Sequence, residues 1–272
     1  MNPTAPLHQV GGAVVPRPVG SHMKDREAMA QMLTNGSVGV AYQPIVDLAT
    51  HQICGWEALA RYTPNPAVYS ALDLVEAARL HGLLDELTWT VVTHAHATLC
   101  AAAEMVDVPL LLTVNVELEQ LHSDNPLFTR IADLPWPSNT RLVLEITERG
   151  QDLWHDGYAR AARTLSEHEI LLALDDFGAG AARLTFLQHP QWALVKFDRQ
   201  LIASDGRTEQ IVMSHTARMF AELGVLSVAE GIETPGQLAS VKALGIELGQ
   251  GYLLGRPTSA ENVLSSLAVS NL

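Results

Sequence analysis

The chain has 272 residues, 47% hydrophobic and 17% charged, with a formal net charge of −13. This composition suits a well-cored enzyme and excludes a disordered polyelectrolyte, while the acidic excess speaks against nucleic-acid polymers, whose binding needs a cationic surface to release counterions. Cys54 and Cys100 are too few for a disulfide framework and no apolar run approaches the ~18 residues of a membrane span, so a reducing, cytoplasmic setting is expected.

Residues 1–23 are rich in Gly, Pro and Val without periodicity, and Gly20-Ser21-His22-Met23 resembles the scar of an expression tag. This arm is expected to be disordered or tag-derived, and it lacks the charged start and apolar core of a signal peptide. From there to residue 272 one barrel domain is expected. Its first strand is Val40 to Leu48 and its second Ile53 to Arg61, with four residues between them. That is hairpin length, too short for a crossover helix, so the first strand should run antiparallel to the second. Helical spacing follows over Leu72 to Leu83 and Leu87 to Glu104.

Six more strands are expected: Leu110 to Val116, Arg141 to Glu148, Leu171 to Phe177, Ala193 to Asp198, Leu226 to Glu233 and Leu248 to Leu254. Helical stretches such as Gly157 to His168, Thr208 to Leu223 and Pro235 to Leu244 separate them. Near-continuous apolar strands alternating with helices imply a parallel sheet with covered faces. Eight strands favour an α/β fold, a modified TIM-type (β/α)8 barrel with the first strand antiparallel; a doubly wound open sheet is the alternative.

Polar residues close these apolar strands. Glu57, Asn115, Glu145 with Glu148, the pair Asp175-Asp176, Lys196, Glu230 and Gln250 each follow such a run. A single strand-end carboxylate is ordinarily a cap or loop contact. Of these, Glu57, Asn115, Glu145, Asp175, Asp176, Lys196 and Glu230 alone would bring five carboxylates, an amide and a lysine to the catalytic face of a barrel, where the carboxylates repel one another unless divalent cations neutralise them. All-oxygen donors suit Mg²⁺ or Mn²⁺ rather than zinc, and two ions ~3.5–4 Å apart are the usual device for phosphodiester hydrolysis. Lys196 either orients the attacking water or neutralises the acidic cluster as a buried ion pair. The run Phe177-Gly178-Ala179-Gly180-Ala181-Ala182-Arg183 only begins like a dinucleotide fingerprint, since Arg183 takes the third glycine position. Gly178 and Gly180 instead suit a tight mobile loop. His94 and His96, two apart on a helix, face different ways and make a poor ligand pair.

The blocks QPIVDL, GWEALAR, TVNVE, LVLEITE, LALDDFGAG, VKFD, AEGIET and QGYLLGRP stand in order from about Val38 to Pro257. With them the chain resembles the EAL family of bacterial cyclic di-GMP phosphodiesterases, named for the triplet Glu57-Ala58-Leu59. The resemblance implies hydrolysis of cyclic di-GMP to linear 5'-pGpG with Mg²⁺ or Mn²⁺, two ions, and family members commonly work as homodimers. It implies metal ligands at Glu57, Asn115, Glu145, Asp175, Asp176 and Glu230, and catalytic roles for Lys196, Glu230 and Glu57. Arg61, Gln43 and Gln250 match substrate-binding positions, Glu148 matches the glutamate that holds the loop after Asp176, and Glu233 belongs to the EGxET run, expected to stabilise loops. Departures fall on that loop, where the family's DDFGTGYSSL is replaced by DDFGAGAARL, and on Glu117, where the family has serine. Lost hydroxyls at 179, 182 and 183 remove local hydrogen bonds that would order the loop. They motivate a second expectation, a catalytically weak cyclic di-GMP receptor or interaction module; an unrelated metal-dependent barrel lyase is a third.

Overall fold

In the computed structural model, residues 25–65, 67–122, 124–147, 156–179, 192–204 and 206–270 are described. Eight strands form a closed barrel in sequence order: β1 (Val38–Asp47), β2 (Ile53–Tyr62), β3 (Leu110–Asn115), β4 (Thr140–Thr147), β5 (Leu171–Phe177), β6 (Trp192–Phe197), β7 (Leu226–Ala229) and β8 (Leu248–Gly249). β1 pairs antiparallel with both β2 and β8, and every other pairing is parallel. The barrel with a reversed first strand therefore stands, and the open sheet does not.

The hairpin between β1 and β2 is held by Asp47, whose Oδ1 accepts from the backbone N–H of Ala49 (2.9 Å) and Thr50 (2.7 Å). Such a side-chain turn fixes a short antiparallel connection without a crossover helix. Outside the sheet lie α1 (Arg26–Thr34), α2 (Ala71–His81), α3 (Leu84–Ala103), α4 (Pro126–Ala132), α5 (Asp156–Glu167), α6 (Arg199–Ile202), α7 (Arg207–Glu222), α8 (Pro235–Ala243) and α9 (Ala260–Ser270). Their ends follow local chemistry. α2 starts in a Ser70/Asp73 capping box and stops at Gly82, whose left-handed backbone (φ 63°) closes the helix. None of the described helices is long and apolar enough to cross a membrane.

Two apolar layers organise the molecule. The larger lies between the outer face of the barrel and the helices and includes Trp56, Leu74, Val92, Leu112, Leu144, Phe197 and Phe220. A second, inside the barrel, consists of Ile45, Val143, Ala173, Leu194, Val228 and Leu248. Side chains in a strand alternate faces with period two, so the residue two positions along shares the interior face. From those six residues the rule leads to Gln43, Glu145, Asp175, Lys196, Glu230 and Gln250. An apolar plug thus fills the bore, and the polar residues sit as the next layer above it.

Several expected boundaries need correction. β7 ends at Ala229 rather than Glu233, and β8 at Gly249 rather than Leu254. In both places the chain turns through a glycine with positive φ, Gly231 (67°) and Gly251 (156°), where a Cβ would collide with Arg199 or with the Ile232 backbone. β3 ends at Asn115, and β1 begins two residues earlier than expected, at Val38. α3 starts at Leu84, three residues before the expected helix, and α1, α4, α6 and α9 were not anticipated. The expected arm at 1–23 lies outside the described residues.

Candidate active site

Lys196 stands at the centre of the polar layer. It is 1% exposed, and its Nζ lies 2.7 Å from Glu230 Oε1, 3.0 Å from Glu145 Oε2, 3.2 Å from Glu57 Oε2 and 3.5 Å from Asp175 Oδ1. These five side chains come from β2, β4, β5, β6 and the turn after β7, so only the closed barrel brings them together. Glu57 is further held by two amides: Asn115 Nδ2 donates to its Oε1 at 2.8 Å and Gln250 Nε2 to its Oε2 at 2.7 Å. Because Asn115 spends its NH₂ on Glu57, its carbonyl oxygen turns the other way.

Adjacent residues of a regular strand point to opposite faces, which would send Asp176 away from Asp175. The sheet breaks that rule locally. The β5–β6 register shifts between Leu174 and Phe177, and Asp176 takes a left-handed backbone (φ 56°). Aspartate tolerates this conformation better than most residues, and the bulge re-aims its side chain. As a result Asp175, Asp176 and Glu230 each offer an oxygen within 4.8 Å of the others.

Electrostatics sets opposed protonation within the cluster. Burial pulls Glu57 upward, but the Lys196 charge and hydrogen bonds from Gln250, Asn115 and Lys196 outweigh it and hold this carboxylate below its ordinary range. Burial pushes Glu230 to about 8, with Asp175 and Glu57 adding to it against the pull of Lys196. Glu145, buried beside Glu57, is driven well above the carboxylate range. Lys196 is disfavoured as a cation by burial, yet the carboxylates around it, Asp175 first, raise it well above an ordinary lysine.

The residues present fit a hard divalent cation. All donors are oxygens, three carboxylates already converge, the buried Glu145 Oε1 lacks a hydrogen-bond partner, and Asp175 Oδ1 has only its 3.5 Å ion-pair contact with Lys196. Hard cations take such donor sets, and unpaired buried oxygens are what a cation satisfies.

The remaining expected residues are placed less centrally. Gln43 faces Glu57 directly in the β1–β2 register and is half-buried. Arg61, also half-buried, donates from Nη1 to the Ala60 carbonyl at 2.9 Å, and burial lowers its pKa against the attraction of Glu57 and Tyr252. Glu233 is exposed, and its backbone N–H donates to Gln237 Oε1 at the start of α8 (2.8 Å). Glu148 and residues 180–184 of the altered loop lie outside the described residues. Beside Glu57 and Asn115 a cavity of about 310 Å³ opens toward α2 and α3, walled by Leu59, Leu72, Val75 and Leu87. Two further groups escaped the sequence reading. Tyr252 is about half exposed with the Arg256 guanidinium 4.2 Å over its ring, and Thr113 is wholly buried on β3. Only the Gln-Gly-Tyr order hinted at the first, and nothing marked the second.

Comparison with known proteins places this geometry. A model of the EAL domain matches residues 26–257. Cyclic di-GMP phosphodiesterase PA2567 of Pseudomonas aeruginosa is 30% identical over 82% of this chain and 39% of its own length. Cyclic di-GMP phosphodiesterase RocR of the same organism is 30% identical over 85% of this chain and 60% of its own length. The chain spans 29–60% of the length of such curated relatives. Among solved structures, the PaMucR phosphodiesterase in complex with c-di-GMP superposes with a TM-score of 0.78 at 25% identity, covering 87% of this chain and 98% of that one. Klebsiella pneumoniae BlrP1, with manganese and cyclic di-GMP, gives 0.71 at 26% identity, covering 82% and 56%.

Proposed function

Because the chain belongs to the EAL domain family, we propose that its barrel hydrolyses cyclic di-GMP to linear 5'-pGpG with the help of Mg²⁺ or Mn²⁺, two ions at the carboxyl end. The observation that supports this most is the convergence of Asp175, Asp176 and Glu230 beside a lysine buried among four carboxylates. Glu57, Asn115, Glu145, Asp175, Asp176 and Glu230 would hold the metal. Bound divalent ions supply Lewis acidity toward the phosphoryl group and acidify water.

The chain's own groups supply the rest. Lys196 Nζ stays cationic and presents a fixed positive charge to the attacking water and the developing negative charge on phosphorus oxygens. Glu230, with its pKa near 8, is suited to take a proton at neutral pH once its carboxylate is freed. Asn115 and Gln250 clamp Glu57 in one orientation, so the carboxylate does not reorganise when substrate arrives. Arg61, on the rim, would hold a phosphate, with Gln43 and Gln250 contributing to the nucleotide site, and the apolar recess beside Glu57 leaves room for a base. Glu233 and Glu148 would steady neighbouring loops.

Incubating the protein with cyclic di-GMP and either Mg²⁺ or Mn²⁺ should yield 5'-pGpG by chromatography, and Glu57→Ala should yield none. The second reading, a cyclic di-GMP receptor, rests on Ala179 and the altered loop that follows. It takes over if nucleotide binds in Ca²⁺ by calorimetry but neither Mg²⁺ nor Mn²⁺ gives product.

A further inference from the structure

Among the described residues, four buried side-chain atoms have no hydrogen-bond partner: Glu145 Oε1, Asp175 Oδ1, Gln250 Oε1 and Thr113 Oγ1. The first three belong to groups that the proposed reaction already uses. Thr113 does not. Its side chain is 0% exposed, and a hydroxyl carries a donor and two lone pairs that valine, the same shape, would not need to satisfy.

The register fixes where this hydroxyl lies. Thr113 pairs with Glu57 on one side and Val143 on the other, and Asn115 pairs with Glu145. Thr113 is two residues before Asn115 and two after Leu111, which packs with the barrel plug, so it shares their interior face. It therefore sits on the floor of the acidic layer, between the stem of Glu57 and the diagonal position of Glu145. Glu145 directs Oε2 to Lys196 and leaves Oε1 unpaired. Neighbouring strands stand ~4.8 Å apart, so a diagonal from Thr113 to Glu145 exceeds one hydrogen bond and suits two in series.

We propose that Thr113 is a positioning residue, its hydroxyl tied through one buried water to Glu145 Oε1 so that the carboxylate keeps a fixed orientation toward the metal. A water there gives both orphaned atoms a partner, and Glu145 Oε1 keeps a second lone pair for the cation. The ligand's orientation is then set from below, while Lys196 sets it from the side. This proposal rests on the reading of Glu145 as a metal ligand.

The test compares wild type, Thr113→Val and Thr113→Ser as full chains. Mn²⁺ alone is titrated by calorimetry, and cyclic di-GMP turnover is followed across Mn²⁺ concentration. Thr113→Val should bind Mn²⁺ about tenfold more weakly, at the mild end of the effect of removing a group that orients a ligand. Its Mn²⁺ requirement for turnover should rise by the same factor with KM for cyclic di-GMP unchanged. Thr113→Ser should restore both, since it keeps the hydroxyl and loses only a methyl. Equal Mn²⁺ affinity in Thr113→Val and wild type overturns the proposal alone. A serine variant as weak as the valine variant overturns it too, showing packing rather than hydrogen bonding. A wild type that takes up no Mn²⁺ overturns the metal reading, and this inference with it.

Discussion

Glu230 and Glu57 lie on the same lysine yet their proton affinities move apart, and that difference has a measurable sign. Glu230 titrates at about 8 in the folded chain and near the ordinary glutamate value when unfolded. The folded state therefore binds the extra proton, and this group's contribution to stability is present at low pH and declines as pH rises toward 8. Glu57 is depressed, so its contribution is present above the ordinary range and is lost as pH falls through its folded value. At pH 7 a divalent ion entering the cluster must displace the proton held by Glu230. Calorimetric Mn²⁺ titrations at pH 7 in two buffers of different ionisation enthalpy should show about one proton or more released per site. No buffer dependence would refute the protonated cluster. Lys196→Met sharpens the same logic. Without the cation Glu57, Glu145 and Glu230 lose the charge that pulls their pKa values down, so metal-free stability should match wild type near pH 5 and fall by about 3 kcal/mol toward pH 8. An equal loss at both values in thermal unfolding with chelator would contradict this. Sequence made these residues visible because charge interrupts an apolar strand. Thr113 stayed hidden because a threonine in a strand is ordinary β-branched material.

Elements were legible where local pattern and tertiary fate agree. β5 was read at its observed bounds because a strand covered on both faces is apolar throughout. What pattern could not show is the bulge in β5, since Asp175-Asp176 reads as strand either way and only the register against β6 reveals the extra residue. β7 and β8 were overread for the converse reason: LSVAEGIE and LGQGYLL keep strand-like composition after the backbone has turned. α4 carried an overlooked start signal, Asn125 capping Leu127 N with Pro126 following. The seam between β2 and β3 offers a test of element packing. Gly55 pairs with Leu111, and a Cβ there would sit 2.1 Å from the Leu111 carbonyl oxygen. Gly82, with φ 63°, has nothing within 4 Å of an added Cβ. Gly55→Ala should therefore cost about 3 kcal/mol or prevent folding, against about 1 kcal/mol for Gly82→Ala, by denaturant unfolding. If the two cost the same, close approach of β2 and β3 is not what requires glycine at position 55.

At the scale of the molecule, every strand leads to one residue of the polar layer: Gln43, Glu57, Asn115, Glu145, Asp175, Lys196, Glu230 and Gln250, from β1 through the turn after β8. The hairpin made the reversed first strand foreseeable, but the meeting of one residue from each of eight strands or the turns after them is a property of closure, which no local window contains. Closure also determines how a ligand at the centre acts on stability. If the proposed ligands Glu57, Asn115, Glu145, Asp175, Asp176 and Glu230 hold a cation, that ion would tie together β2, β3, β4, β5 and the turn after β7 and relieve repulsion in a chain whose net charge is already −13. Mn²⁺ at a hundredfold excess over its dissociation constant should stabilise the fold by about 2.7 kcal/mol, raising the melting temperature by about 5–10 °C over the chelated protein. Since the bridged strands span most of the barrel, hydrogen-exchange protection should rise on all of them together rather than at one loop. Asp175→Asn keeps the shape while removing a charge from the converging carboxylates, so it should reduce the Mn²⁺ shift severalfold and leave the chelated melting temperature near wild type. A full shift in that variant, or protection gained on one strand alone, would mean the ion binds elsewhere on this acidic surface.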